Sequence, residues 1–163
     1  MNEKYYTPEI KDLFVGYECE HSTMMASFDA TNKRDVLLLN DDDVKKGELA
    51  DHELIEYIKF IAEEDYDVSK FIRTMYLTKE QIVSEGWQYK REYSNIFHFE
   101  LGNVWDGKTK GGFLEYNIQS KILKITLKEV GEYTMDGPKI SIRFNGCCPS
   151  INEFRKICKL VLS

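Results

Sequence analysis

From Ser94 onward, apolar and polar residues alternate with a period of two. Ser94–Leu101 sets Phe97, Phe99 and Leu101 against Ile96, His98 and Glu100, and Phe113–Ile118 sets Leu114, Tyr116 and Ile118 on one face. Ile122–Lys128 turns Leu123, Ile125 and Leu127 inward and Lys124, Thr126 and Lys128 outward. Lys139–Asn145 does the same with Ile140, Ile142 and Phe144 inward and Ser141 and Arg143 outward. Period two is the mark of strands with one buried face. The Gln119-Ser120 link is short enough for a hairpin, and Met135-Asp136-Gly137-Pro138 is a turn signal. The pattern predicts a four-strand antiparallel meander whose other face is partly solvated.

Elsewhere the period is helical. At the C-terminal end Ile151, Phe154, Ile157, Cys158, Val161 and Leu162 form one stripe, with Arg155, Lys156 and Lys159 opposite it. Pro149 ends the preceding strand, and Ser150 with Glu153 has the spacing of a capping box. Over 51–64, Leu54, Ile55, Ile58, Ile61 and Ala62 share a face, and Asp51, Glu53 and Glu56 suit the positive end of the helix dipole. A short helix over Lys79–Ser84 is predicted by the Thr78…Gln81 capping box and stopped by Gly86, after which Trp87 packs back on the core. Leu13–Glu20 reads as a strand alternating Val15, Tyr17 and Cys19 with Gly16, Glu18 and Glu20. Val36–Leu39 and Phe71–Leu77 read as further strands, residues 22–34 as loop, and Tyr5, Tyr6 and Pro8 as part of an extended lead-in. The expected fold is a single α+β domain over 1–163, an antiparallel sheet packed against two amphipathic helices and a short one.

Composition supports this without adding chemistry. The 163 residues are 42% hydrophobic and 31% charged, a globular balance that needs no disulfide or metal to fold. No apolar run reaches about 18 residues, and MNEKYYTPEIKD has no apolar signal core, so a cytoplasmic protein with reduced Cys19, Cys147, Cys148 and Cys158 is expected. Residues 1–65 hold 17 acidic and 7 basic side chains, a charge of −10; residues 66–163 hold 11 and 15, a charge of +4, giving −6 overall. That acidity weighs against a nucleic-acid partner.

Candidate chemistry is sparse. Cys147-Cys148 lies just ahead of a helix N-terminus, where thiols are activated, but neighbouring cysteines rarely bridge each other, and spectator thiols are the plainer reading. Cys19 and His21 with that pair would make four zinc ligands, but the spacing is not a ligand pattern and alternation already explains Cys19 as core. Asp41-Asp42-Asp43 lacks the alternating oxygens and glycine of a calcium loop and suits a solvated turn. His52 and His98 have no nucleophile or carboxylate at telling spacing, so no triad is indicated. Gly107-Lys108-Thr109 has no spaced glycine before it, so it is no phosphate loop, and no metal or cofactor is expected. The loop Asn103–Gly112 places Trp105 among Lys108, Lys110 and glycines, as a partner anchor or a plug on the sheet. The outward lysines Lys124, Lys128 and Lys139 with Arg143 form the other candidate surface.

Three stretches carry a resemblance. Tyr5-Tyr6-Thr7-Pro8-Glu9-Ile10 with Val15-Gly16-Tyr17-Glu18, Tyr76-Leu77-Thr78-Lys79-Glu80-Gln81-Ile82 with Gly86-Trp87, and the ending of a strand, Asn145-Gly146 and a helix resemble uncharacterised small proteins of gut Bacteroidales phages and prophages. The resemblance implies a phage or mobile-element origin and hence the cytoplasm of a bacterial host. That family has no assigned activity, so no functional residue carries over, and Cys147-Cys148 departs from its pattern. The expectation is a non-enzymatic protein that binds a protein partner. The alternative is a small-ligand or nucleotide-binding domain using the basic sheet face. An enzyme using Cys148 or His98 is the weakest reading.

Overall fold

The alternating C-terminal half does form an antiparallel meander, and it has five strands rather than four. The computed structural model describes residues 4–22, 44–102, 111–134 and 137–163, which fall in two compact units, Met1–Tyr76 and Leu77–Ser163. The loop 22–34 beyond its first residue, the strand Val36–Leu39, Asp41–Asp43 and the Trp105 loop with Lys108 and Lys110 lie outside the described residues. The fold is α+β, with three α-helices and two antiparallel sheets among those described.

In the second unit, β5 (Gln88–Tyr93), β6 (Ile96–Leu101), β7 (Gly112–Asn117), β8 (Ile122–Thr134) and β9 (Gly137–Cys147) pair in chain order. β5 escapes sequence reading because every one of its residues is exposed, so it shows no buried face. Its hairpin to β6 turns through Ser94 and Asn95, both at positive φ (49° and 63°), the geometry a two-residue hairpin needs to match strand twist. Between β7 and β8, the Asn117 side-chain carbonyl Oδ1 accepts from the Gln119 and Ser120 amides at 3.0 and 2.9 Å, holding the turn.

The sheet's inner face, Phe99, Leu114, Tyr116, Leu123 and Ile125, is covered by two helices. The first is α2 (Lys79–Ser84), with its capping box intact: Thr78 Oγ accepts from the Gln81 amide, and Gln81 Oε1 from the Thr78 amide. Gly86 follows at φ +94°, where a side chain would strain the turn, and Trp87 then drops into the core. The second is α3 (Ile151–Leu162), which buries Ile151 and Phe154 and packs Ile157, Cys158, Val161 and Leu162 around them. Its cap differs from the reciprocal box. Ser150 Oγ accepts from the Asn152 amide at 3.2 Å, and the Ser150 hydroxyl donates to the Glu153 carboxylate. Leu77 and Pro149 join the two helix starts through an amide-to-carbonyl bond of 2.7 Å.

In the first unit the strands β1 (Tyr5–Tyr6), β2 (Glu18–Ser22), β3 (Val44–Leu49) and β4 (Ile72–Met75) form a sheet in the order β1-β4-β2-β3. The helix α1 (His52–Glu63) is capped by Asp51 Oδ1 on the Leu54 amide at 2.8 Å and packs Ile55, Ile58 and Ile61 with Tyr17, Cys19, Phe71 and Ile72. Strand β2 is shorter than its alternation predicts. Gly16 at φ +93° and the Tyr17 amide bonding Phe14 O make residues 14–17 a turn, which leaves Val15 65% exposed instead of in the core. Glu20, read as outward, is 5% exposed. No helix of the described residues is long and apolar enough to cross a membrane.

Candidate functional site

Inward and outward positions on β9 are decided by one extra residue. Ile125 pairs with Phe144, but Thr126 pairs with Ile142, so Arg143 is unmatched and the strand bulges. A one-residue slip reverses the faces of everything beyond it. Ile140 and Ile142, read as core, are therefore 51% and 61% exposed, while Ser141 takes the inward place opposite Leu127. On the outer face the row Phe113, Thr126 and Ile142 continues across β7, β8 and β9. No described strand pairs with the far edge of β9.

Two of the lysines of the expected basic face, Lys124 and Lys139, are paired with carboxylates. Lys124 Nζ lies 3.2 Å from the Glu115 carboxylate, which also faces His98 Nδ1 at 3.7 Å. Lys90 pairs with Glu100 at 2.9 Å and Lys139 with Glu129 at 3.3 Å. Opposite charges thus ladder across neighbouring strands. Lys128 shares the row of Ile140 but is only 4% exposed, just before a second register break between Lys128 and Tyr133 where the alternation ends.

Instead, Lys128 and Arg143 line one pocket of about 540 Å³ with Leu101, Gly111, Leu127, Glu129 and the last turn of α3, Leu160 to Ser163. It lies where the β8–β9 ribbon runs past the end of α3. A smaller concavity of about 420 Å³ on the outer face includes His98, Glu100 and Glu115, with Lys90, Arg91 and Phe113 around them. His98 thus gains a carboxylate partner that spacing did not reveal, but no Ser, Cys or Thr side chain lines this concavity to serve as nucleophile.

The thiols separate sharply. Cys147 is exposed, whereas Cys148 and Cys19 are buried. Burial pushes the Cys148 thiol well above the ordinary range, with Glu153 adding to the effect, so desolvation overrides the neighbouring helix N-terminus. Burial also raises Cys158 to about 11, opposed by the Trp87 indole. A thiol whose folded pKa is raised stays protonated in the native state while the unfolded chain ionises, so stability is full below the ordinary thiol pKa and falls above it. Stability should therefore drop from about pH 9 upward, with a limiting slope of about 1.4 kcal/mol per pH unit per thiol. Urea unfolding of Cys148→Ala beside the parent chain from pH 7 to 10.5 checks this. Parallel pH dependences would refute it. No group of three or more His, Cys, Asp or Glu close enough to hold a metal is found among the described residues.

One polar cluster has no counterpart in the sequence reading. Glu20 and Arg73 are direct cross-strand partners of β2 and β4, with Arg73 Nε 2.8 Å from Glu20 Oε2. The Tyr5 hydroxyl donates to Glu20 Oε1 at 3.2 Å, and the guanidinium lies 4.1 Å above the Tyr5 ring. The available signal was Arg73, a single charge inside the otherwise apolar stretch Phe71–Leu77; Glu20 alternates with Glu18 in Tyr17–His21 and carried no such signal. Comparison with protein-family models, curated proteins and solved structures returns no match to this chain.

Proposed function

We propose that the chain is a non-enzymatic binding protein of phage or prophage type, acting in the bacterial cytoplasm, that engages a protein partner along the outer edge of β9. The observation that carries this is the bulge at Arg143, which places Ile140 and Ile142 on the solvent side of an edge strand. Near its start β9 carries Pro138 and Lys139, and it bulges at Arg143, devices that discourage pairing at either end of this stretch. Between them, two exposed isoleucines set two residues apart on the same face match recognition by strand addition, where backbone bonds give affinity and alternate side chains give register. Phe113 and Thr126 extend that face inward along the sheet. The absence of a nucleophile beside His98 among the described residues and the suppressed thiolate of Cys148 weigh against the enzyme reading.

The test compares the parent chain with an Ile140→Asp, Ile142→Asp double variant. Both side chains are more than half exposed, so the unfolding midpoint should change little. A photo-crosslinking residue at position 142 should capture one host or phage protein, and affinity for that isolated protein should fall at least about tenfold in the double variant. Equal affinity for the two chains would sink the proposal.

A further inference from the structure

We infer that the pocket between the β8–β9 ribbon and the end of α3 binds a small amphipathic carboxylate. It is distinct from the outer-face isoleucines and does not depend on the partner proposal. Its volume, about 540 Å³, lies within the usual range for small-molecule sites, roughly 300–1,000 Å³. Leu101, Leu127, Val161 and Leu162 supply an apolar wall, and the exposed Leu160 stands at its rim. The polar groups are few and convergent: Lys128, Arg143, Glu129 and Ser163.

Their charges decide the ligand. Glu129 is held by Lys139 at 3.3 Å, so its carboxylate is already matched. The last turn of α3 brings a partial negative charge of about half a unit, and Lys128 has an interaction of its own. The Ser163 hydroxyl donates to Leu160 O at 3.2 Å and is likewise committed. Arg143 remains: an exposed guanidinium on a bulge, with no hydrogen-bond or ion-pair partner among the described residues. A planar fork of donors beside leucine and valine side chains suits a carboxylate head on an apolar body. A cationic or uncharged body of the same size would leave that guanidinium unmatched.

The probe is decanoate, titrated calorimetrically into the full chain, with decanol and decyltrimethylammonium as matched bodies lacking the anion. Decanoate should bind saturably with one site. Arg143→Gln should weaken it about tenfold, the loss of one charge-assisted hydrogen-bond pair, while leaving the unfolding midpoint within a degree or two. Val161→Trp, which fills the apolar wall, should abolish binding in a chain whose circular dichroism is unchanged. No saturable binding up to millimolar decanoate, equal affinity for decanol, or an unchanged affinity in Arg143→Gln would each overturn the assignment.

Discussion

Replacing Trp87 with alanine should cost the 77–163 unit about 3–5 kcal/mol, a large fraction of the stability of a domain this size. Trp87 is 1% exposed and is the largest fully buried side chain described. It packs with Leu77, Ile82, Phe99, Leu114, Tyr116, Ile151 and Phe154, so it ties both helices of that unit to the sheet. Its position is dictated from outside the core. The capping box starts α2, Gly86 at φ +94° stops it, and the chain re-enters the interior at the next residue. Little can collapse into the vacated space, because the sheet and α3 are held by ladder hydrogen bonds and a cap of their own. Trp87→Phe should cost clearly less. It refills most of the volume, and the indole N–H it removes has no hydrogen bond of normal geometry, only the nearby Cys158 sulfur, a weak acceptor. Hydrogen exchange of α3 as a function of urea reads this unit directly. A loss below about 1 kcal/mol in Trp87→Ala would show that the indole plugs a surface cleft instead of anchoring the core.

What the sequence disclosed follows from where one physical signal acts alone. Helices were legible because caps and stripes agree: Thr78 and Ser150 cap the helices predicted after them, and Asp51, read as a first-turn charge, is the N-cap of α1. The inner faces of β6, β7 and the first half of β8 were legible because Phe99, Leu114, Tyr116, Leu123 and Ile125 alternate without interruption. β5 was not, since an edge strand exposed on both faces leaves no period-two imprint of burial, and its turn uses Ser94-Asn95 where Asn-Gly is the usual signal. β3 was missed for a similar reason: Val44-Lys45-Lys46-Gly47-Glu48-Leu49 lacks an apolar alternation. The candidate site suffered most, because a bulge carries no composition signal. Lys128 and Arg143 were chosen for their charge on an outward face. The register breaks at Arg143 and Lys128 bring them together in a pocket and send Ile140 and Ile142 outside. Lys124 keeps its outward place but is matched by Glu115 from the next strand, a pairing that only register reveals.

The second large effect lies in the first unit. Arg73→Met should destabilise it by about 3–5 kcal/mol, because it strands the Glu20 carboxylate without its counter-charge. The Glu20 side chain is 7% exposed and that of Arg73 17%, so water can replace little of what is lost. The remaining partner, the Tyr5 hydroxyl, supplies one neutral hydrogen bond at 3.2 Å, worth less than the charge-assisted pair. Glu20→Gln should also be costly, since it leaves the guanidinium facing an amide that offers one acceptor and an unwanted donor. Arg73 would keep its contact with the Tyr5 ring there, at 4.1 Å. The double change Glu20→Leu, Arg73→Met removes both charges together and keeps apolar volume between β2 and β4. Buried pairs gain their Coulomb energy against a desolvation cost of similar size, so the double variant should lie within about 1 kcal/mol of the parent chain. The distinguishing quantity is the coupling energy, which should exceed about 2 kcal/mol in a double-mutant cycle. Both tryptophans belong to 77–163, so indole fluorescence follows that unit while hydrogen exchange of α1 follows this one. A double variant as unstable as the sum of its single changes would mean that the two side chains contribute by packing and not as a pair. A coupling of the expected size would instead identify the Glu20–Arg73 contact, set directly across β2 and β4, as the device that fixes the register of the N-terminal sheet.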